Sequence, residues 1–156
     1  QRARPMSDLP TAEVLHPALF QRVQASFERQ GMMQYLGARL LQVGPGLCVV
    51  ELPYTERVTQ QQGGFHGGAM GALADIAGGY AALTVVPAES EVTTVEYKIN
   101  FLAALRDGVL RATGRVVRAG RRIIVTHAMV EHLDADGKST DCAVMQQTLV
   151  PVAKTY

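Results

Sequence analysis

Residues 60–82 read QQQGGFHGGAMGALADIAGGYAA, and this stretch decides the fold. It opens as a glycine-rich turn holding one histidine, His66-Gly67-Gly68. It continues as an apolar segment of helix length, mostly Ala and Gly, with one carboxylate, Asp75, and no basic residue. A charge buried among apolar side chains without a partner is costly, so Asp75 marks a candidate reactive group. A helix that is apolar nearly all round must be wrapped by other elements, not laid on a surface. Small residues along it (Ala69, Gly71, Ala72, Ala74, Ala77, Gly78, Gly79) let neighbouring backbone approach closely.

The flanking sequence supplies the wrapping. Leu19, Phe20, Val23 and Phe27 recur at helical spacing over 16–30, with Gly31 as the stop. Two short strands over 36–43 and 47–54 meet at Gly44-Pro45-Gly46. The central helix spans about 66–84 and ends before Pro87. Four strands follow, over 91–102, 109–118, 122–133 and 139–150, with turns at Asp107-Gly108, Ala119-Gly120-Arg121 and 134–137. Runs of strands around one helix predict an α+β domain, its antiparallel sheet curved about the buried helix. Residues 1–15 read as a flexible lead and 16–156 as a single domain, the usual size for one core.

The totals exclude several classes. A net charge of +1 and a chain without Trp give no basic, base-stacking surface, so no nucleic-acid partner is expected. No apolar run reaches the roughly 18 residues of a membrane span. Residues 1–15 lack the apolar core of a signal peptide, so the expected location is cytoplasmic. Cys48 and Cys142 lie in apolar strand-like runs and read as buried thiols of a reducing compartment.

Gly67 and Gly68 fall at the helix N-terminus, where backbone N–H groups lack intrahelical partners and carry the positive end of the dipole. That is a ready oxyanion hole for a carbonyl under attack, and Asp75 supplies a base or a nucleophile. The two are eight residues apart on one helix, about 12 Å, whereas reacting atoms must come within about 3 Å. If both serve one carbonyl, they come from different subunits, and the protein is a homodimer with two equivalent sites. Each element also has a structural alternative. The glycines can be a tight helix entry, His66 a backbone-bonded histidine, Asp75 a satisfied acid, and Arg118, Arg121 and Arg122 a solvated hairpin instead of a phosphate-binding cluster. His66 has no second His or Cys at ligand spacing, so no metal is expected.

These residues resemble the hotdog-fold thioesterases, specifically the phenylacetyl-CoA-thioesterase-like (PaaI-like) branch. The matching residues are Gly63-x-x-His66-Gly67-Gly68 and Leu73-Ala74-Asp75, then Thr94 through Leu102, then Gly114 through Arg121, in order. The resemblance covers roughly 36–150. It implies a long helix wrapped by an antiparallel sheet, acyl-CoA hydrolysis, dimers or tetramers, and no metal or cofactor apart from the coenzyme A of the substrate. It implies an oxyanion-hole amide at Gly67 with Gly68 beside it, and a loop-orienting histidine at His66. Asp75 matches the catalytic carboxylate from the partner subunit, and Thr94 a holder of the attacking water. Gln60 stands where better-known members have Asn. Phe65, Gly78, Gly79 and Tyr80 are candidate linings of the acyl pocket, and the three hairpin arginines candidate partners of the nucleotide phosphates. Two other readings remain open: a hydratase or dehydratase of acyl thioesters using His66 with Asp75, and an acyl-CoA-binding module without catalysis.

Overall fold

The computed structural model describes residues 16–156; the lead expected over 1–15 lies outside them. Helices α1 (Pro17–Phe27) and α2 (Gly31–Leu36) precede the hairpin of β1 (Arg39–Gly44) and β2 (Leu47–Pro53). Helix α3 (Gly67–Leu83) follows, then β3 (Ser90–Phe101), β4 (Val109–Ala119), β5 (Ile124–Leu133) and β6 (Ser139–Ala153). The six strands form one antiparallel sheet in the order β1-β2-β4-β5-β6-β3. The α+β architecture expected from the central helix is the one observed.

Helix α3 packs against β2, β3, β4, β5 and β6, and Leu73, Ala74, Ala77 and Ala81 are fully enclosed. The sheet reaches the helix backbone itself. Gly114 lies in the inward register of β4 with Leu110 and Ala112, and a Cβ there would stand 2.2 Å from the Ala77 carbonyl. Strand β5 turns Ile124, Thr126, Ala128, Val130 and His132 inward by simple alternation. On the opposite face, Glu51 of β2 is buried between Arg39 of β1 and Arg111 of β4, its register partners. Arg111 donates to its carboxylate from Nε at 3.0 Å and Nη2 at 2.6 Å, and Arg39 from Nη2 at 3.3 Å.

One local expectation fails. Gly31 does not simply end the first helix, and no strand begins at residue 36. Helix α1 stops at Phe27, and Gly31 opens α2, a six-residue helix anchored by buried Met33. Gly37 closes it at φ +79°, a left-handed C-terminal cap that suits glycine, with its N–H donating to the Gln34 carbonyl. A helix this short shows no periodicity to read.

The two sheet edges differ. α1 packs against β1. β3, the other edge, exposes Val95 (60%), Tyr97 and Phe101 (51%), with no further strand beyond it among the described residues.

Candidate active site

His66 is the N-cap of α3. Its extended backbone lets its carbonyl accept from Ala69 and Met70, and its Nδ1 accepts from the Gly68 N–H at 2.7 Å. The ring therefore does the work of a capping Asn or Asp. The Gly68 amide is occupied by that cap, while the Gly67 N–H has no acceptor among the described residues. The Phe101 ring lies against Gly67, where a Cβ would meet its Cζ at 3.1 Å.

The preceding loop is held on several sides. Phe65 N–H donates to Leu105 O at 3.0 Å, His66 N–H to Val58 O at 2.7 Å, and Tyr54 Oη to Gly63 O at 2.6 Å. Gln60 braces the turn: its N–H donates to Gly64 O, and its Oε1 accepts from the Gln62 N–H. Phe65 is buried edge-on against Tyr54 and His132, so within the chain it backs the loop instead of lining an open pocket.

Asp75 sits two turns into α3 and faces a cleft of about 450 Å³ with Thr94, Ile76, Gly79, Tyr80, Glu91 and Leu149 among its lining. Thr94 Oγ1 donates to Asp75 Oδ1 at 2.8 Å, and Gln147 Nε2 donates to the same oxygen. Burial raises the Asp75 pKa above its ordinary value, and the hydrogen bonds from Thr94 and Gln147 pull it back down. At the far side of the cleft the Tyr80 hydroxyl meets Ser26 Oγ at 3.1 Å and Gln30 Nε2 at 2.7 Å. Of the expected linings, Gly79 and Tyr80 are there. Gly78 instead faces Gln147 and Thr126 inside the fold.

A β-bulge aims Thr94. The β3–β6 register pairs Tyr97 with Gln147 and Thr94 with Leu149, with a shift between Thr94 and Glu96. Plain alternation from Tyr97 would turn Val95 and Thr93 toward α3. The extra residue turns Thr94 inward and leaves Val95 exposed.

Gln147, absent from the sequence reading, is fully buried. Its signal was available: it is the one polar residue in the inward series Ala143, Met145, Gln147, Leu149 of β6.

The remaining residues sort simply. Arg118, Arg121 and Arg122 are exposed at the β4–β5 hairpin. The hairpin leads into β5 at Ile124, which pairs with Leu149, itself the partner of Thr94 and part of the cleft lining. Burial pushes the Cys48 thiol up to about 12 and, with Asp141 and Glu131 nearby, Cys142 to about 11. Neither forms a thiolate at neutral pH. Among the described residues no group of three or more His, Cys, Asp or Glu is placed around a metal position, and no helix is long and apolar enough to cross a membrane.

Comparison with known proteins gives this geometry a family. A model of the Thioesterase superfamily matches residues 62–137, from the glycine turn through β5. A protein of Saccharolobus solfataricus named as an esterase is 41% identical over 107 residues, which are 69% of this chain and 74% of that one. A Listeria monocytogenes protein named 1,4-dihydroxy-2-naphthoyl-CoA hydrolase is 31% identical over 91 residues, 58% of this chain and 74% of its own. The crystal structure of a thioesterase family protein from Silicibacter pomeroyi superposes with a TM-score of 0.82 at 36% identity, covering 87% of this chain and 99% of that one. With a buried helix wrapped by a six-stranded antiparallel sheet and a carboxylate on that helix, this chain belongs to the thioesterase superfamily, as an enzyme of the hotdog fold.

Proposed function

We propose that the protein hydrolyses an acyl-CoA thioester to the free acid and coenzyme A, with Asp75 as the carboxylate and the Gly67 amide as the oxyanion donor. The observation that carries this reading is the Asp75–Thr94 pair: a half-buried carboxylate and an inward-turned hydroxyl, 2.8 Å apart, on an open cleft. Asp75 accepts the proton of a water that Thr94 helps to hold, or attacks the carbonyl itself; both routes balance without a metal or further cofactor. The similarity to a named CoA hydrolase supports coenzyme A as the leaving group.

The site is shared between two subunits in this reading. The cleft that holds Asp75 does not include Gly67 of the same chain, as their separation of about 12 Å along α3 requires. Strand β3 offers the surface for a partner: among the described residues its outer edge is unpaired, with Val95, Tyr97 and Phe101 exposed along it and Leu102 just beyond. A homodimer joined there brings a second Gly67 toward Asp75; further pairing of dimers gives the tetramer. The exposed arginines of the β4–β5 hairpin take the nucleotide phosphates, and Gly79, Tyr80 and Ile76 line the acyl group. His66 serves the cap and so holds the Gly67 amide in place.

The test is thiol release from a panel of aryl- and alkyl-CoAs, with Asp75→Ala as control. Release by the parent protein, reduced about 10²- to 10⁴-fold by Asp75→Ala, supports hydrolysis. Binding without release would establish a carrier, and a change in enoyl absorbance a hydratase or dehydratase.

A further inference from the structure

The Gln147 side chain reaches both members of the Asp75–Thr94 pair. We propose that it is the positioning residue of this site: its amide fixes the direction of every hydrogen bond there, so that Asp75 and Thr94 both present lone pairs to an attacking water. The proposal rests on the hydrolytic reading of Asp75.

A primary amide buried without partners would be costly, and no buried side-chain N or O among the described residues lacks a hydrogen bond. The orientation of the amide is set by Asp75, whose carboxylate only accepts, and Thr126 Oγ1 then donates to Gln147 Oε1 at 2.8 Å. The Nε2 end is thereby turned to Asp75 Oδ1 and to Thr94 Oγ1, the latter at 2.8 Å. The reverse orientation would set a carbonyl oxygen against a carboxylate. Gly78 makes the space: a Cβ there would lie 2.1 Å from Gln147 Oε1 and 2.7 Å from Thr126 Oγ1.

The direction of donation has a chemical consequence. Thr94 accepts from Gln147 and gives its hydrogen to Asp75, so it meets a water only as an acceptor. Asp75 Oδ1 already takes two donors, which leaves Oδ2 for the second water hydrogen. A water held by both hydrogens presents an oxygen lone pair to the thioester carbon. Attack forms the C–O bond and passes a proton to Asp75. Collapse of the tetrahedral intermediate breaks the C–S bond, and the thiolate leaves and takes that proton. The other titratable groups facing the cleft are Arg29 in the turn after α1, Tyr80 of α3, Glu91 of β3 and Tyr156 beyond β6, while β5 and β6 face Asp75 with Thr126, Gln147 and Leu149. Removing the Gln147 donor withdraws stabilisation from ionised Asp75, so activity falls away at a higher pH than in the parent.

The experiment measures kcat/KM against pH for Gln147→Met and Thr126→Val, each alone and combined with Asp75→Asn, on the best acyl-CoA of the panel. Gln147→Met is expected to lower kcat/KM about ten- to a hundredfold and to move the acid limb upward. Thr126→Val, which keeps the amide but removes the donor to its Oε1, is expected to shift the limb the same way by less. In the Asp75→Asn background neither change has further effect. An acid limb that stays in place in both variants, or equal losses with and without Asp75, overturns the proposal. Near-parental rates from Asp75→Asn alone overturn the hydrolytic reading and this proposal with it.

Discussion

Gly78→Ala and Gly79→Ala are neighbouring substitutions on one helix, and the structure assigns them opposite signs. Helix propensity alone favours Ala over Gly in a helix interior by about 0.8–1.0 kcal/mol. At Gly79 nothing lies within 4 Å of the added methyl, so that gain stands. At Gly78 the methyl would sit 2.1 Å from Gln147 Oε1 and 2.7 Å from Thr126 Oγ1. Overpacking of this kind costs about 1–3 kcal/mol. Displacing the Gln147 amide removes partners from buried polar groups, at about 1–3 kcal/mol more. Against the propensity gain, Gly78→Ala is expected to destabilise by about 1–5 kcal/mol, while Gly79→Ala stabilises by up to about 1. For a domain of this size each kcal/mol moves Tm by about 2–4 °C, so thermal unfolding by circular dichroism resolves the two. Activity divides them as well: Gly78→Ala lowers kcat by disturbing the Asp75–Thr94–Gln147 cluster, while Gly79→Ala, on the cleft, changes KM in a way that depends on acyl size. Gly78→Ala with the Tm of Gly79→Ala and a parental kcat would refute the account of the cluster.

Three other expectations follow from the same contacts. Burial holds the Asp75 pKa above its ordinary value of 3.8, so this group favours the folded state when protonated and loses that contribution as pH rises through its folded pKa. Asp75→Asn should therefore raise Tm at pH 7, with the advantage shrinking toward pH 3.8; an equal Tm difference at both pH values would contradict it. Arg111→Met removes two of the hydrogen bonds to buried Glu51 and should cost about 2 kcal/mol in urea unfolding, whereas unchanged stability would mean that Arg39 suffices. Arg121→Ala and Arg122→Ala should each raise KM for acyl-CoA by up to about fivefold with kcat unchanged, with no effect on a pantetheine thioester lacking the nucleotide; equal KM values on full acyl-CoA would make the hairpin a solvated turn.

Much of the fold is legible in residues 60–82. An all-round apolar helix of small residues can only be enclosed, and strands with clear turns on both sides supply the enclosure. Asp75 is legible for the same reason, as the lone charge in that helix, and His66-Gly67-Gly68 as its entry. Thr94 is another matter. Its identity can be matched to a family, but its direction depends on a bulge that exists only once β3 has paired with β6. Phe65 shows the converse: beside the glycine turn it reads as a pocket residue, yet Tyr54 and His132 enclose it from segments distant in sequence. Gln147 carried a local signal, a polar residue in an inward alternation. Its meaning came only from the space that Gly78 leaves across the helix–sheet contact.

The shared site is tested most directly by subunit complementation. Asp75→Ala is mixed with a Gly67→Val variant after reversible dissociation, and thiol release from acyl-CoA is followed. Each variant alone is expected to be nearly inactive. In an equal mixture, half of the dimers pair one variant with the other, and each of these carries one intact Asp75–Gly67 site of two. Recovered activity should therefore reach about one quarter of the parent. No recovery when subunit exchange is demonstrated, or full hydrolysis by a monomer, would contradict a site built from two chains.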